Sequence, residues 1–120
     1  MKEEISWCVE LAIKRGQLAN FEKLTGEMVA STRTEEGVLD YQRFVSADGR
    51  IVHVYERYAH SAAAVTHLRK FGTLFGTRFA RLARRKRFMV FGNPSDELRA
   101  LLDRYEATYF KPLGSFAYWP

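Results

Sequence analysis

The apolar residues of the chain fall into two rhythms. Ile5, Trp7, Val9, Leu11 and Ile13 alternate with Ser6, Cys8, Glu10 and Ala12, which is the period of a strand with one buried face. After Lys14-Arg15-Gly16, the residues Leu18, Phe21, Leu24 and Met28 recur at steps of three and four. That spacing predicts a helix ending near Ser31 with these side chains on one stripe, weakened but not broken by Gly26. Two β-type segments follow, Val38 to Ser46 and Arg50 to Tyr58. The Asp48-Gly49 pair between them is a hairpin signal, so they are expected to pair antiparallel.

Ser61 reads as a helix N-cap, and Ala62 to Lys70 is rich in helix formers, with Val65 and Leu68 spaced to face a sheet. Gly72 and Gly76 interrupt the pattern. Phe71, Leu74, Phe75, Phe79 and Leu82 nevertheless keep a helical period, which predicts a second, kinked helical piece to about Arg84. Arg87 to Phe91 reads as a short strand closed by the turn chemistry of Gly92-Asn93-Pro94-Ser95. Ser95 then caps a further helix, with Asp96 and Glu97 near its positive end and Leu98, Leu101, Leu102 and Tyr105 on its buried side. Thr108 to Phe110 and Ser115 to Trp119 are expected to be extended, separated by Pro112-Leu113-Gly114.

The order is β-α-β-β-α-β followed by α-β. It predicts an α+β fold of the ferredoxin-like split βαβ type, an antiparallel sheet with its helices on one face, plus a C-terminal αβ extension. The other sheet face is left bare, and a strand as apolar as Ile5 to Ile13 argues for cover by a second copy of the chain. With 120 residues, 47% of them apolar and 28% charged, the chain reads as a single domain over 1–120, with a core at about 5–91 and an extension at about 92–120.

Charge and cysteine content narrow the function classes. The lone Cys8 excludes an internal disulfide framework and a multi-thiolate metal site built by this chain. No run of about 18 apolar residues is present, and Met1-Lys2-Glu3-Glu4 does not resemble a signal peptide, so the cytoplasm is the expected location and no membrane partner is expected. The net charge of +5 is concentrated: Arg78 to Arg87 carries six basic residues and no acid, and the remaining 110 residues sum to −1. On a helix, Arg78, Arg81 and Arg85 share a face that suits phosphates. A patch of cations near a helix C-terminus suits the dipole equally well. With the rest of the chain neutral to acidic, nucleic acid is not an expected partner.

The run Glu35-Glu36-Gly37-Val38-Leu39-Asp40-Tyr41, the strand end Tyr55-Glu56-Arg57-Tyr58, His67 nine residues after Tyr58, and Gly16 after the first strand together resemble the antibiotic biosynthesis monooxygenase domain family. The resemblance spans about Ile5 to Phe91, and the tail from Phe91 resembles that of a quinol monooxygenase-like subgroup. It implies a homodimeric α/β barrel with a ligand cavity between each sheet and its helices. It also implies oxidation of a small aromatic hydroquinone or polyketide-like substrate by dioxygen with no metal or other cofactor. A neighbouring branch of the family degrades haem, which is a third and weaker reading. A non-catalytic homodimer that binds a small hydrophobic ligand is the alternative from another class.

Glu56 and Tyr58 lie two apart on a strand, so they project to one face with Val52 and Val54. A carboxylate in an apolar cavity can accept the proton of a substrate phenol; its structural alternative is an ion pair with Arg43 or Arg57. His67 can orient or deprotonate a phenol, or simply hydrogen-bond a nearby carbonyl. Glu56, Tyr58 and His67 are therefore the candidate catalytic residues. Glu10, Trp7, Tyr41, Phe71 and Phe75 are candidates for the cavity wall. Glu10 has pairing with His53 or Arg43 as its alternative, and the aromatic residues have simple core packing. His53, His60 and His67 are spaced seven apart over strand, loop and helix, and would form a metal site only if the fold converged them. Cys8 reads as a small buried side chain with no activating neighbour.

Overall fold

The computed structural model describes residues 3–116. Strand β1 (Ile5–Ile13) is followed by helix α1 (Leu18–Thr32), then β2 (Val38–Val45), β3 (Ile51–Tyr58), α2 (Ser61–Leu74), α3 (Gly76–Leu82), β4 (Ala83–Phe91), α4 (Asp96–Asp103) and β5 (Thr108–Phe110). One five-stranded sheet runs in the order β2-β3-β1-β4-β5. β1 pairs antiparallel with both β3 and β4, and β2 with β3, which is the ferredoxin-like arrangement expected of the split βαβ pattern. β5 instead runs parallel to β4, so the sheet is mixed. The sheet is open, with β2 and β5 at its edges.

The alternation of β1 is realised directly: Ile5, Trp7, Val9 and Leu11 are buried, while Ser6, Cys8 and Glu10 face outward. The buried set packs with Val52, Val54 and Tyr58 of β3, Phe88 and Val90 of β4, and the stripes of the helices into one core. α1 contributes Phe21, Leu24 and Met28 as expected from the spacing. The apolar residues of β1 therefore already have cover inside the chain, which removes that particular argument for a second copy. The outer face is less polar than β1 alone suggests, because Phe44, Phe91 and Phe110 stand on it exposed.

Several boundaries differ from the sequence expectation. α2 is capped by His60, whose Nδ1 accepts from the Ala63 N–H, and not by Ser61. Ser61 Oγ instead accepts from the Ser95 N–H and so ties the start of α2 to the start of α4. The helical period after Phe71 breaks at Phe75, and Leu74 points to solvent. β4 begins at Ala83, so Arg84, Arg85, Lys86 and Arg87 lie on a strand and the helical face joining Arg78, Arg81 and Arg85 does not exist. Ser95 does cap α4, accepting from the Leu98 N–H. Ser115 and Phe116 are not in a strand, and the rest of the extended segment expected there lies outside the described residues.

Leu98 and Leu102 of α4 are fully enclosed, which makes the extension part of the main core. Leu98→Ala is expected to destabilise the whole protein by about 2–5 kcal/mol in a single cooperative urea transition. A separate early transition for the extension, with the main midpoint unchanged, contradicts this.

Candidate active site

The inner face of the sheet carries one buried carboxylate, Glu56, only 5% exposed. Four elements converge on it. Tyr58, two positions along β3, donates its hydroxyl hydrogen to Glu56 Oε1 at 2.5 Å, and Trp7 Nε1–H of β1 donates to the same oxygen at 3.0 Å. Arg43 Nη2 of β2 donates to Oε2 at 3.0 Å. From α2, His67 Nε2 lies 3.7 Å from Oε1. The donors satisfy a charge that would otherwise be prohibitive to bury.

His67 is itself held between two carboxylates. Its Nδ1 lies 3.2 and 3.3 Å from the two oxygens of Glu35, in the turn before β2. An ionised carboxylate only accepts, so this contact puts a proton on Nδ1 and leaves Nε2 facing Glu56. Lys70, one turn on from His67, reaches Glu35 Oε2 at 3.9 Å. Gly37 permits this closeness: its φ is +84°, and a Cβ there would stand 2.7 Å from Ala63 Cβ of α2. The Glu35 turn and the His67 helix are packed together at the one residue without a side chain.

These groups face a small cavity of about 40 Å³ lined by Trp7, Val9, Val54, Glu56, His67, Phe71, Phe88 and neighbouring side chains. Arg43 and Arg85 supply the cations of its wall. Arg85 spans the rings of Phe79 and Tyr105, its guanidinium carbon 5.1 and 4.4 Å from their centroids. Burial lowers its pKa below the ordinary guanidinium value. Two β-bulges aim these arginines inward. Between Val38 and Asp40 the register of β2 slips by one, which turns Tyr41 and Arg43 to the inner face. Between Glu10 and Leu11 the register against β4 slips likewise, so Arg85 faces in while Arg87 faces out.

The structure brings Glu56, Tyr58 and His67 together, with Trp7 and Phe71 in the same wall. Tyr41 lies just behind it, edge-on to His67 and beneath the Arg43 guanidinium. Phe75 packs at the rim of the core near Arg78, outside the cavity. Glu10 is a correction: it is on the outer face, 3.2 Å from His53 and within 3.6 and 3.9 Å of Arg87 and Lys86. Its position in the alternation with Ser6 and Cys8 carries it there. The three histidines do not converge, since His53 is on the outer face, His60 caps α2 and His67 is in the core. Cys8 is half-buried, and burial raises its thiol pKa more than nearby Arg87 lowers it.

Sequence reasoning did not single out Glu35, weighed Arg85 only as part of a helical face with Arg78 and Arg81, and weighed Arg43 only as a partner for Glu56 or Glu10. Glu35 stood in the quoted run before β2, but its reach to α2 depends on the turn at Gly37. The arginines were hidden by the bulges, which regular alternation does not reveal.

The model of the family described as antibiotic biosynthesis monooxygenase matches residues 6–70, more than half of the chain. The chain belongs to this family. Trp7, Glu35, Arg43, Glu56, Tyr58 and His67 all fall inside the matched segment, and Arg85 falls outside it. No curated protein sequence matches the chain. Among solved structures, MupZ from Pseudomonas fluorescens is similar over 98% of this chain and 91% of its own, at 22% identity and a TM-score of 0.88. SnoaB from Streptomyces nogalater, described as a cofactor-independent oxygenase, is similar over 78% of this chain and 96% of its own, at 16% identity and a TM-score of 0.67. A conserved protein from Methanosarcina mazei is similar over 77% and 93%, at 17% identity and a TM-score of 0.65. At these identities the likeness establishes the family's fold.

Two buried phenols give the site a signature at high pH. Burial, then the charge of Glu56 and the hydrogen bond to it, push the Tyr58 pKa well above the ordinary 10. Burial and the same charge raise Tyr41 to about 12. Both phenols hold their protons longer folded than unfolded, so the unfolded chain loses protons first. Their contribution is intact below about pH 10 and declines as pH rises toward the folded values, Tyr41 alone accounting for about 2–3 kcal/mol by pH 12. Urea unfolding at pH 9, 10 and 11 is expected to show the loss, with a shallower slope in Tyr58→Phe. Parallel pH profiles for the variant and the wild type contradict it.

Proposed function

We propose that this protein is a cofactor-independent monooxygenase acting on a small aromatic hydroquinone or polyketide-like substrate. The observation that carries the reading is the chain Glu35, His67, Glu56 set against an apolar cavity wall with two guanidinium groups in it. Family membership and the fold likeness to SnoaB, which is described as a cofactor-independent oxygenase, support it.

Such a reaction needs a base, a way to hold negative charge and a site poor in competing water. For an anthrone-type methylene the balance is one substrate and one dioxygen giving one ketone and one water. A base takes one C–H proton, and the carbanion gives its electrons to dioxygen as the C–O bond forms. Protonation of the peroxide and loss of water, with the second C–H proton, leave the ketone. His67 Nε2 is the proposed base, with Glu35 fixing its tautomer and steadying the imidazolium that forms. Glu56 sits on the far side of Nε2 and favours the same cation. Arg43 and Arg85 are placed to meet an anionic oxygen of the substrate as charge spreads into its rings. Tyr58 donates to Glu56 and holds that carboxylate in place.

The same proposal includes a homodimer. Phe44, Phe91 and Phe110 are 57%, 38% and 48% exposed on the outer face of the sheet, and a second copy laid against that face removes them from water. No helix among the described residues is long and apolar enough to cross a membrane. The haem-degrading reading fits the geometry poorly. His67 is 3% exposed, with Glu35 on one nitrogen, Glu56 facing the other, and the rings of Tyr41 and Tyr58 beside it.

Oxygen uptake by metal-stripped protein over a panel of anthrones and hydroquinones tests the proposal. Saturable uptake is expected, reduced about 10²–10⁴-fold in His67→Ala and strongly reduced in Glu56→Gln. Glu35→Gln is expected to lower the rate less and to shift its pH profile. Uptake no faster than autoxidation without protein, across the panel, overturns it.

A further inference from the structure

The cavity that holds the chemistry is too small for a ring. About 150 Å³ accommodates a benzene-sized guest, whereas the space beside Glu56 and His67 is about 40 Å³. A second cavity of about 190 Å³ lies in the cleft between α1 and the β2-β3 hairpin, walled by Leu18, Phe21, Thr25, Val45 and Val52. It has the room, but neither Glu56 nor His67 lines it. Among the described residues, Arg43 alone lines both spaces.

Arg43 is also incompletely used. Its side chain is 9% exposed, Nη2 is bonded to Glu56, and the Tyr41 ring lies 3.7 Å beneath it. Nε and Nη1 are buried with no hydrogen-bond partner. These two atoms carry three of the five N–H groups of a guanidinium, and leaving such donors unmet in the interior is costly. Thr25 Oγ1, in the wall of the cleft, is likewise buried and unmet. Beyond Arg43, the Arg85 guanidinium has aromatic faces but no acidic partner among the described residues. The cavity is short of acceptors and of negative charge.

We propose that Arg43 is the recognition residue for a substrate bearing an anionic oxygen, a carboxylate or an ionised phenol, that enters through the cleft between α1 and β2. The free N–H groups of Arg43 receive that oxygen, and the guanidinium moves enough to join the two cavities and admit the ring to His67. Glu22, exposed on the rim of the cleft, is its acidic residue and slows an approaching anion. The substrate class rests on the proposed function; the binding preference does not, and is measured without turnover.

The probes are two already oxidised ring systems, 4,5-dihydroxyanthraquinone-2-carboxylate and the same quinone with methyl in place of the carboxylate. Binding is followed by fluorescence quenching of the tryptophans, one of which, Trp7, is in the cavity wall. The wild type is expected to bind the carboxylate at least about tenfold more tightly than the methyl compound, as for a charge-assisted hydrogen bond. Arg43→Gln is expected to abolish that preference and Arg43→Lys to keep part of it. Should Arg43→Gln fail to fold because Glu56 is left unpaired, the double variant Arg43→Gln/Glu56→Gln replaces it. Glu22→Gln is expected to speed association of the carboxylate probe about twofold or more at low salt, an effect that salt suppresses. Equal affinity for the two probes in the wild type, or equal loss of both in the Arg43 variants, overturns the recognition role. An unchanged association rate in Glu22→Gln overturns the cleft as the route. Intact selective binding with no oxygen uptake overturns the oxygenase reading and leaves this one standing.

Discussion

The buried carboxylate of Glu56 organises the interior. Glu56 cannot be placed among Trp7, Val54 and Phe88 as a bare charge, because desolvating it without partners costs far more than the net stability of a small domain. The donors that make it tolerable come from β1, β2 and β3, and α2 brings His67 alongside. Removing one member of the buried Arg43–Glu56 pair while leaving the other strands a charge, at a typical cost of about 3–5 kcal/mol. The requirement to satisfy Glu56 thus fixes the relative placement of four elements, and it brings His67, the proposed base, alongside.

Arg43 sits where two demands conflict. As a partner for Glu56 it closes the small cavity and completes the core. As the one wall that the cavity and the cleft share among the described residues, it separates Glu56 and His67 from the space large enough for an aromatic ring. Its unmet N–H groups show that the closed arrangement does not exhaust its bonding capacity. A group held by one hydrogen bond to Glu56 and by stacking on Tyr41 gives up less on moving than one whose five donors are all engaged.

The extension is structural as well as peripheral. α4 packs its leucines into the core, its start is tied to α2 through Ser61, and Tyr105 stacks on Phe88 at the cavity wall with Arg85 over its ring. The basic run that dominates the net charge is meanwhile dispersed. Arg78 of α3 is paired with Glu27 of α1, Arg85 faces the cavity, and Lys86 and Arg87 approach Glu10 on the outer face. A cluster in the sequence becomes several separate local functions once the strand begins at Ala83.

Alternation and helical spacing were enough to read β1, α1, the β2-β3 hairpin, α4 and the shared face of Glu56, Tyr58, Val52 and Val54, because these patterns follow from backbone geometry within one element. They also placed Val65 and Leu68 on the buried side of α2, whereas His67 was picked out by the family resemblance. They anticipated an interruption near Gly72 and Gly76 but were not enough to place it at Phe75, nor to read the early start of β4 or the parallel direction of β5, which depend on what each segment packs against. The same limit applied to the site. A one-residue bulge inverts every later side chain of its strand relative to regular alternation, and two such slips decided that Arg43 and Arg85 point inward. Glu35 reached His67 only because Gly37 lets the turn press against Ala63. Which elements form, and which of their faces are buried, was therefore written in local pattern. Which charges share the interior was not, since that is set by register between strands and by close contact between segments distant in the chain.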